Sequence, residues 1–341
     1  MRKYILKRLL YIVLVALILS FLMYLIYNMI PYDRAATMAR NEIKANMKAG
    51  LKFEELYSYY QKLIGTDGNL FQRYLRWLGL YPNTLTGKPD GIFEGNFGFS
   101  MENNKPAVEV IKEPMKNTIF INIFATILGL GITIPLGIRC AVKRGSKFDT
   151  AVQVGTIIGY SLPVFITAIL FIFLFSALLG WFPVSGMKTP GSNYTGFKWF
   201  ADRMYYMALP LIVMTFCSLG GMTRYVRAAM IEALSLDCIR TARAKGLREK
   251  VVIYTHAWRN ALLPVVTLII GWFLGIFGGS MMIENIFGLN GVGRLYIISL
   301  TASDYEVVLC LQMFYVLISL LGNLIVDLVY GLVDPRVRVS K

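Results

Sequence analysis

Six apolar segments divide this chain, at about residues 9–30, 117–142, 152–179, 206–226, 262–283 and 307–333. Each is long enough to cross a bilayer, for which about 20 residues suffice. The pattern predicts an all-α polytopic membrane protein with six transmembrane helices. Between the first two spans lies one sizeable insertion, residues 31–116. Within it Phe53, Leu56, Tyr57, Tyr60 and Leu63 with Ile64 recur at helical spacing. After the break GTDGN, Phe71, Tyr74, Leu75 and Leu78 do so again, so two amphipathic helices are predicted. The stretch YPNTLTGKPDGIFEGNFGFS that follows is turn-rich. Such an insertion serves as a packed cap, as a docking surface for an external partner, or as both.

The spans carry further signals. Gly271, Gly275 and Gly279 fall every fourth residue along the fifth span, and Gly155 and Gly159 do so in the third. Small-residue ridges of this kind let helix backbones approach closely in lipid. They read either as packing inside one bundle or as a subunit interface. Pro135 and Pro163 are expected to kink their helices by removing a backbone hydrogen bond. Asp327 sits in the last span, four residues after Asn323. An acid within a span is a functional candidate. One reading is a gating or proton-coupling group; the other is a structural ion pair with Arg336, Arg338 or a basic inner loop.

Composition agrees with the pattern: 56% of residues are hydrophobic and 16% charged. The net charge of +15 would suggest nucleic acid in a soluble protein. Topology accounts for it differently. With Arg2, Lys3, Lys7 and Arg8 cytoplasmic, the inner segments are 1–8, about 139–151, about 224–261 and 334–341. These hold 19 Lys and Arg against 5 Asp and Glu, whereas the outer segments hold 16 against 14. The excess is therefore on the inside, as the positive-inside rule expects. The expected location is the cell membrane, multi-pass, with both termini cytoplasmic; the lipid bilayer is a partner and nucleic acid is not. Residues 1–30 read as an uncleaved first span, because their apolar run exceeds the ~7–15 residues of a signal peptide. The domain layout is then 1–30, the insertion 31–116, a five-helix core 117–333 containing the inner loop 224–261, and a tail 334–341.

Several chemistries are absent from the pattern. Cys140, Cys217, Cys238 and Cys310 are not spaced as metal pairs, and His256 is the one histidine. No metal site, disulfide framework or catalytic cluster is expected. There is no phosphate-cradling G-x-x-x-x-G-K-[ST] loop, no G-x-S-x-G elbow and no H-E-x-x-H. With roughly one ionisable residue in the membrane, no proton relay is evident. The chain reads as a conduit, not an enzyme, driven by another polypeptide.

One basic block stands among the greasy runs: DCIRTARAKG, residues 237–246. Asp237 is suited to cap a helix, Lys245 to its last turn, and Gly246 to a left-handed stop. Two turns are too few to be stable alone. Leu236, Ile239 and Ala242 give a narrow apolar stripe, with Arg240 and Arg243 on an adjacent face. Residue physics leaves two readings open, a cationic loop on lipid headgroups and a docking helix.

The segment EALSLDCIRTARAKGLREKVVIYTHAWRNALLPVVT resembles the cytoplasmic loop of permeases of the oligopeptide/dipeptide/nickel ABC importer family. Other motifs resemble the same family over most of the chain: GNFGFS with PAVEVI and NTI, IPLGIRCAVKRGSKFD, SLPVFITAILFIFLFSALLGWFPVSGM, IENIFGLNGVGRL, DYEVV and LVYGLVDPRVR. The first of the family's two permeases, the oligopeptide permease B type, is the nearer match. The resemblance implies a type I importer bundle. It implies that Asp237, Ile239, Arg240, Thr241, Ala242, Arg243, Ala244, Lys245 and Gly246 form a coupling helix, with Arg240, Arg243 and Lys245 on the ATPase groove. The implied partners are a second homologous permease, two ATP-binding cassette ATPases carrying ATP and Mg, and an extracytoplasmic solute-binding protein. This chain itself would carry no cofactor. An oligopeptide is the implied substrate; oligosaccharides and nickel chelates are alternatives on the same machinery. An ion-coupled carrier working without an ATPase is the rival class. Two departures stand out: Arg240, Thr241 and Ala242 occupy the place where importers generally have Glu-Ala-Ala, and the insertion is long around NTLTGKPDGIFE.

Overall fold

The computed structural model describes residues 2–46 and 50–333, with side chains over 6–46 and 50–329. In chain order the helices are α1 (Arg2–Asn28), α2 (Arg34–Ala45), α3 (Phe53–Leu63) and α4 (Leu70–Leu78). A two-residue strand pair follows, β1 (Phe99–Ser100) and β2 (Lys105–Pro106), antiparallel. Then come α5 (Ala107–Val142), α6 (Lys147–Ser161), α7 (Val164–Phe171) with a π-helical continuation (Ile172–Leu178), and α8 (Gly196–Leu234). After these lie α9 (Asp237–Ala244), the single turn α10 (Glu249–Val251) with a π turn (Val252–Ala257), and α11 (Trp258–Gly275). The chain closes with α12 (Met281–Ile286), α13 (Val292–Thr301) and α14 (Tyr305–Val333).

Among the described residues, five helices are long and apolar enough to cross a membrane, six if a bent pair counts as one span. That pair is the expected third span, which is not a straight helix. Leu162, ahead of Pro163, is extended at ψ 130°. A residue before proline is pushed out of the helical region by the ring. The chain bends by 103° there before α7 begins. Pro135, expected to act similarly, lies inside an uninterrupted α5. At 39 residues α8 is about 58 Å long at 1.5 Å per residue. It therefore projects well beyond the ~30 Å of a hydrocarbon core.

The chain forms two compact units. The first takes in the chain up to Lys112 together with Tyr296–Leu317. Both predicted amphipathic helices of the insertion are present as α3 and α4, and α2 precedes them. Asn69 and Gln72 make a reciprocal capping box at the start of α4, which ends at Gly79 in the left-handed region. Tyr74 and Leu78 pack with Tyr24, Phe21, Trp77 and Ile92. The Tyr74 hydroxyl bonds to Ser20 at 2.7 Å and to the Leu17 carbonyl at 3.1 Å, tying α4 to α1. The apolar stripe of α3 behaves differently, since none of its residues is buried. Tyrosines hold it to the α2 segment: Tyr57 donates to Asp33 at 2.6 Å and Tyr60 to Glu42 at 2.5 Å. The bond to Glu42 pushes the Tyr60 phenol up to about 12. The turn-rich stretch is pinned by Arg76, which donates to Asp67 at 2.7 Å, and by Asn83, which accepts from Leu85 and Thr86.

The second unit is Glu113–Leu295 with the segment beginning at Ile318. It has two apolar centres. One gathers Ile138, Val226, Met230, Ile239, Val252, Ala257 and Val265; the other gathers Ile121, Met207, Leu211, Ile283 and Phe287. Two helices approach closely at Gly220 of α8, where a Cβ would lie 2.7 Å from the Thr156 carbonyl of α6. The predicted ridge on the fifth span is not one face: α11 ends at Gly275, so Gly279 lies beyond it, against Gly293. Around Gly271 and Gly275, among the described residues, no heavy atom beyond the local helix backbone and chain neighbours lies within 4 Å of where a Cβ would stand.

Candidate coupling surface

The block at 237–246 is a two-turn helix set directly after α8. Ser235 and Leu236 make the corner, with the Leu236 amide bonded to the Ala233 carbonyl at 3.2 Å. Leu236, extended at ψ 145°, is the N-cap, and it offers no side-chain acceptor. Asp237 is therefore not the cap, as its residue type suggested, but the first helical residue. An acid there still favours the positive end of the helix dipole. Its carboxylate meets Arg240 at 3.3 Å, but both side chains are mostly in solvent, where such pairs contribute about 0–1 kcal/mol.

Two residues hold the helix down. Ile239 is fully buried and Ala242 nearly so. They join the centre formed by Met230 and Ala233 of α8 with Val252, Ile253 and Ala257 of the π turn. Burying an isoleucine side chain contributes about 1.5–3 kcal/mol. That supplies what a two-turn helix lacks by itself. Asp237, Cys238, Arg240, Thr241, Arg243, Ala244, Lys245 and Gly246 are all exposed.

The far end closes as the sequence predicts. Gly246 is left-handed at φ +75°. Its amide bonds to the Arg243 carbonyl at 2.9 Å and the Leu247 amide to the Ala242 carbonyl at 3.4 Å. This is the double bond pattern of a Schellman stop. Arg243 does not point away from the chain: Nη2 and Nε donate to Glu249 at 2.7 and 3.3 Å. That bidentate pair ties the end of α9 to α10. Arg240 and Lys245 remain as the outward cationic groups of the helix.

Three polar joints of the second unit pair residues far apart in the chain. Asp149, 2% exposed, accepts from Arg227 Nε and Nη2, each at 2.7 Å, and from the Gly145 amide at 2.9 Å. Ser146 caps α6 by accepting from the Asp149 amide. A Ser three residues before an Asp ahead of an apolar run is a capping signal, visible in KRGSKFD. Nothing local marks Arg227 as its partner, 78 residues on. In the second joint Glu284 accepts from the Thr118 hydroxyl at 2.9 Å and the Arg294 amide at 3.0 Å, so that α5 and the start of α13 meet on one carboxylate. Burial pushes the Glu284 carboxyl up, against the pull of these bonds. In the third, the Asn122 amide donates to the carbonyls of Ile276 and Gly278 at 3.1 and 2.7 Å, where α11 has run out. The last predicted candidates sit on α14, Asn323 exposed and Asp327 half-buried. Arg336 and Arg338 lie outside the described residues.

Comparison with known proteins completes the picture. Residues 133–339 match the family described as binding-protein-dependent transport system inner membrane component. The oligopeptide transport system permease protein AppB of Bacillus subtilis (strain 168) is 33% identical over 339 residues, covering 99% of this chain and 100% of the relative. The dipeptide transport system permease protein DppB of Escherichia coli (strain K12) is 34% identical over 360 residues, covering all of both chains. Among solved structures, the MetNI methionine ABC transporter in its inward-facing conformation aligns with TM-score 0.50 and 18% identity, over 65% of this chain and 97% of that one. That likeness is one of fold, the type I importer permease bundle. With six apolar segments, this bundle and relatives matched end to end, the chain belongs to the family of binding-protein-dependent transport inner membrane components, as a membrane-spanning permease subunit of an ABC importer.

Proposed function

We propose that this permease forms half of a peptide import path and is driven through α9. The full assembly pairs it with a second, homologous permease, two ATPase subunits that carry the ATP and Mg, and an extracytoplasmic solute-binding protein. Both termini and α9 are cytoplasmic, and the insertion 31–116 faces outward. The naming of two end-to-end relatives for oligopeptide and dipeptide transport supports peptides as the cargo. The observation that carries the coupling reading is the anchoring of α9. A helix buried through Ile239 and Ala242, yet presenting Arg240 and Lys245 outward, transmits a push to α8 rather than folding away. A loop that only touched lipid headgroups would need no such anchor.

The test is reconstitution of the complete complex with its binding protein. Arg240→Glu with Lys245→Glu is expected to leave the bundle folded and basal ATP hydrolysis present, while peptide uptake per ATP falls. Normal uptake by the well-folded double variant would sink the assignment of these charges to the ATPase groove. Uptake by this chain alone, without ATP or partners, would favour an ion-coupled carrier instead.

A further inference from the structure

Where α13 gives way to α14, the first unit buries a carboxylate that has no ion-pair partner among the described residues. Asp304 is 5% exposed. Its Oδ2 accepts a hydrogen bond from the Ser100 hydroxyl. Its Oδ1 has no hydrogen-bond partner among the described residues. Asp304 lines a cavity of about 670 Å³ built wholly from this unit. The guanidiniums around that cavity are largely committed. Arg34 is held by Glu306 at 2.5 Å and by the Phe99 carbonyl, with its Nε left without a partner among the described residues, and Arg76 is held by Asp67 at 2.7 Å. Among the charged lining residues that remain, Arg73 faces Asp33, Asp90 and Asp304, of which Asp33 and Asp90 already accept from Tyr57 and Asn96.

Aromatic rings line part of the remaining wall, beside aliphatic and neutral polar residues. Tyr305, the next residue after Asp304, has its ring centroid 5.3 Å from Tyr32 and 5.8 Å from Tyr27. Tyr24, Tyr57 and Trp77 also border the space. A carboxylate withdrawn from water calls for a positive partner. Ring faces carry negative potential and attract cations that shed water readily. A hard metal ion would instead require a shell of six or more oxygens. The volume is that of a small-molecule site. An acidic, aromatic cavity on a protein of net charge +15 is also a local reversal of sign.

We propose that this cavity binds a small organic ammonium ion with an aromatic or apolar body. The ammonium sits on Asp304 Oδ1, and the body lies against Tyr27, Tyr32 and Tyr305. The site is separate from the coupling surface and does not depend on how α9 is engaged.

The experiment uses the full chain in its purified complex, in lipid nanodiscs, with tritiated tyramine as the probe. Saturable binding is expected, and the neutral N-acetyltyramine should fail to compete. Asp304→Asn keeps an acceptor for Ser100 and should weaken binding about tenfold or more, the scale of a lost charge-assisted contact. Tyr32→Leu leaves the Asp304–Ser100 bond in place and should weaken binding by a few fold, as the loss of one cation–π contact does; it decides the matter if Asp304→Asn does not fold. The proposal is overturned by absence of saturable binding up to about 10 mM, a concentration that would detect even the weakest specific sites. It is equally overturned by competition from N-acetyltyramine, by displacement with equimolar potassium, or by unchanged binding in either variant.

Discussion

Arg227 of α8 grips Asp149 of α6 through two hydrogen bonds of 2.7 Å, one to each carboxylate oxygen. The same carboxylate accepts from the Gly145 amide and from Gln153. The turn that leads into α6 is thereby fastened to α8, and α9 follows α8 after two residues. Above the ion pair, Gly220 lets the two helices touch at the Thr156 carbonyl and the Tyr160 side chain. Direct contacts thus run from α9 through α8 to α6, up to the bend at Pro163.

Breaking this pair from one side leaves a buried charge unpaired. Arg227→Met is expected to cost on the order of 3 kcal/mol of unfolding free energy, because removal of one partner strands Asp149. The double variant with Asp149→Asn should recover part of that loss, since the two changes are coupled. Thermal unfolding in detergent across the double-mutant cycle measures it. Simple additivity would show that the pair carries no coupling.

The anchor of α9 is tested by size. Ile239→Ala should cost about 2–5 kcal/mol, the range for emptying a buried aliphatic site. The loss falls on a helix with little stability of its own, so local amide exchange over 237–246 should rise more than global unfolding does. Equal protection in the variant and the parent would mean that other contacts hold the helix.

Two left-handed positions should respond with opposite signs. Gly246 sits at φ +75° with open space around it, so Gly246→Ala is strained in the backbone alone and should cost about 1 kcal/mol. Ser303 occupies φ +60° after α13, where the Asp304 amide closes on the Ser299 carbonyl at 2.8 Å. A glycine fits that helix stop better, so Ser303→Gly should stabilise by roughly 0.5–1 kcal/mol. Melting temperatures of the two variants, one lower and one higher than the parent, are the readout.

Glu284 sets a pH dependence. Burial raises its folded-state pKa above the unfolded value, so the folded state holds the proton more tightly. Its contribution to stability is fully present below about pH 4.3, the ordinary range for glutamate, and is lost as pH rises through the raised value. Unfolding midpoints taken from pH 4 upward should show this decline in the parent, and Glu284→Gln should flatten it. A slope that persists in Glu284→Gln assigns the dependence to other groups.

The two joints made by Asp149 and Glu284 show where local reasoning stops. The capping motif of KRGSKFD is readable because a helix cap spans three residues. Its real weight comes from Arg227, 78 positions away. Glu284 sits in an ordinary-looking IENIF, and only the meeting of Thr118 with the start of α13 makes it a hub. Residues far apart in the chain leave no periodic trace when they pair.

Apolar run length determined the spans, because a bilayer imposes a minimum number of greasy residues whatever the packing. The Gly246 stop and the burial of Ile239 and Ala242 were equally legible, since each depends on neighbours within a turn or two, although Leu236, the third residue of the predicted stripe, is exposed. Tertiary structure alone decided the rest. Pro163 breaks its span while α5 continues through Pro135, although both are prolines in apolar runs. Gly220, not the regular spacing of Gly271 and Gly275, marks a close helix crossing. Leu236 displaced Asp237 from the cap because the corner after α8 determines which residue is extended. In each case the outcome depends on which surfaces face one another, and one-dimensional spacing does not carry that information.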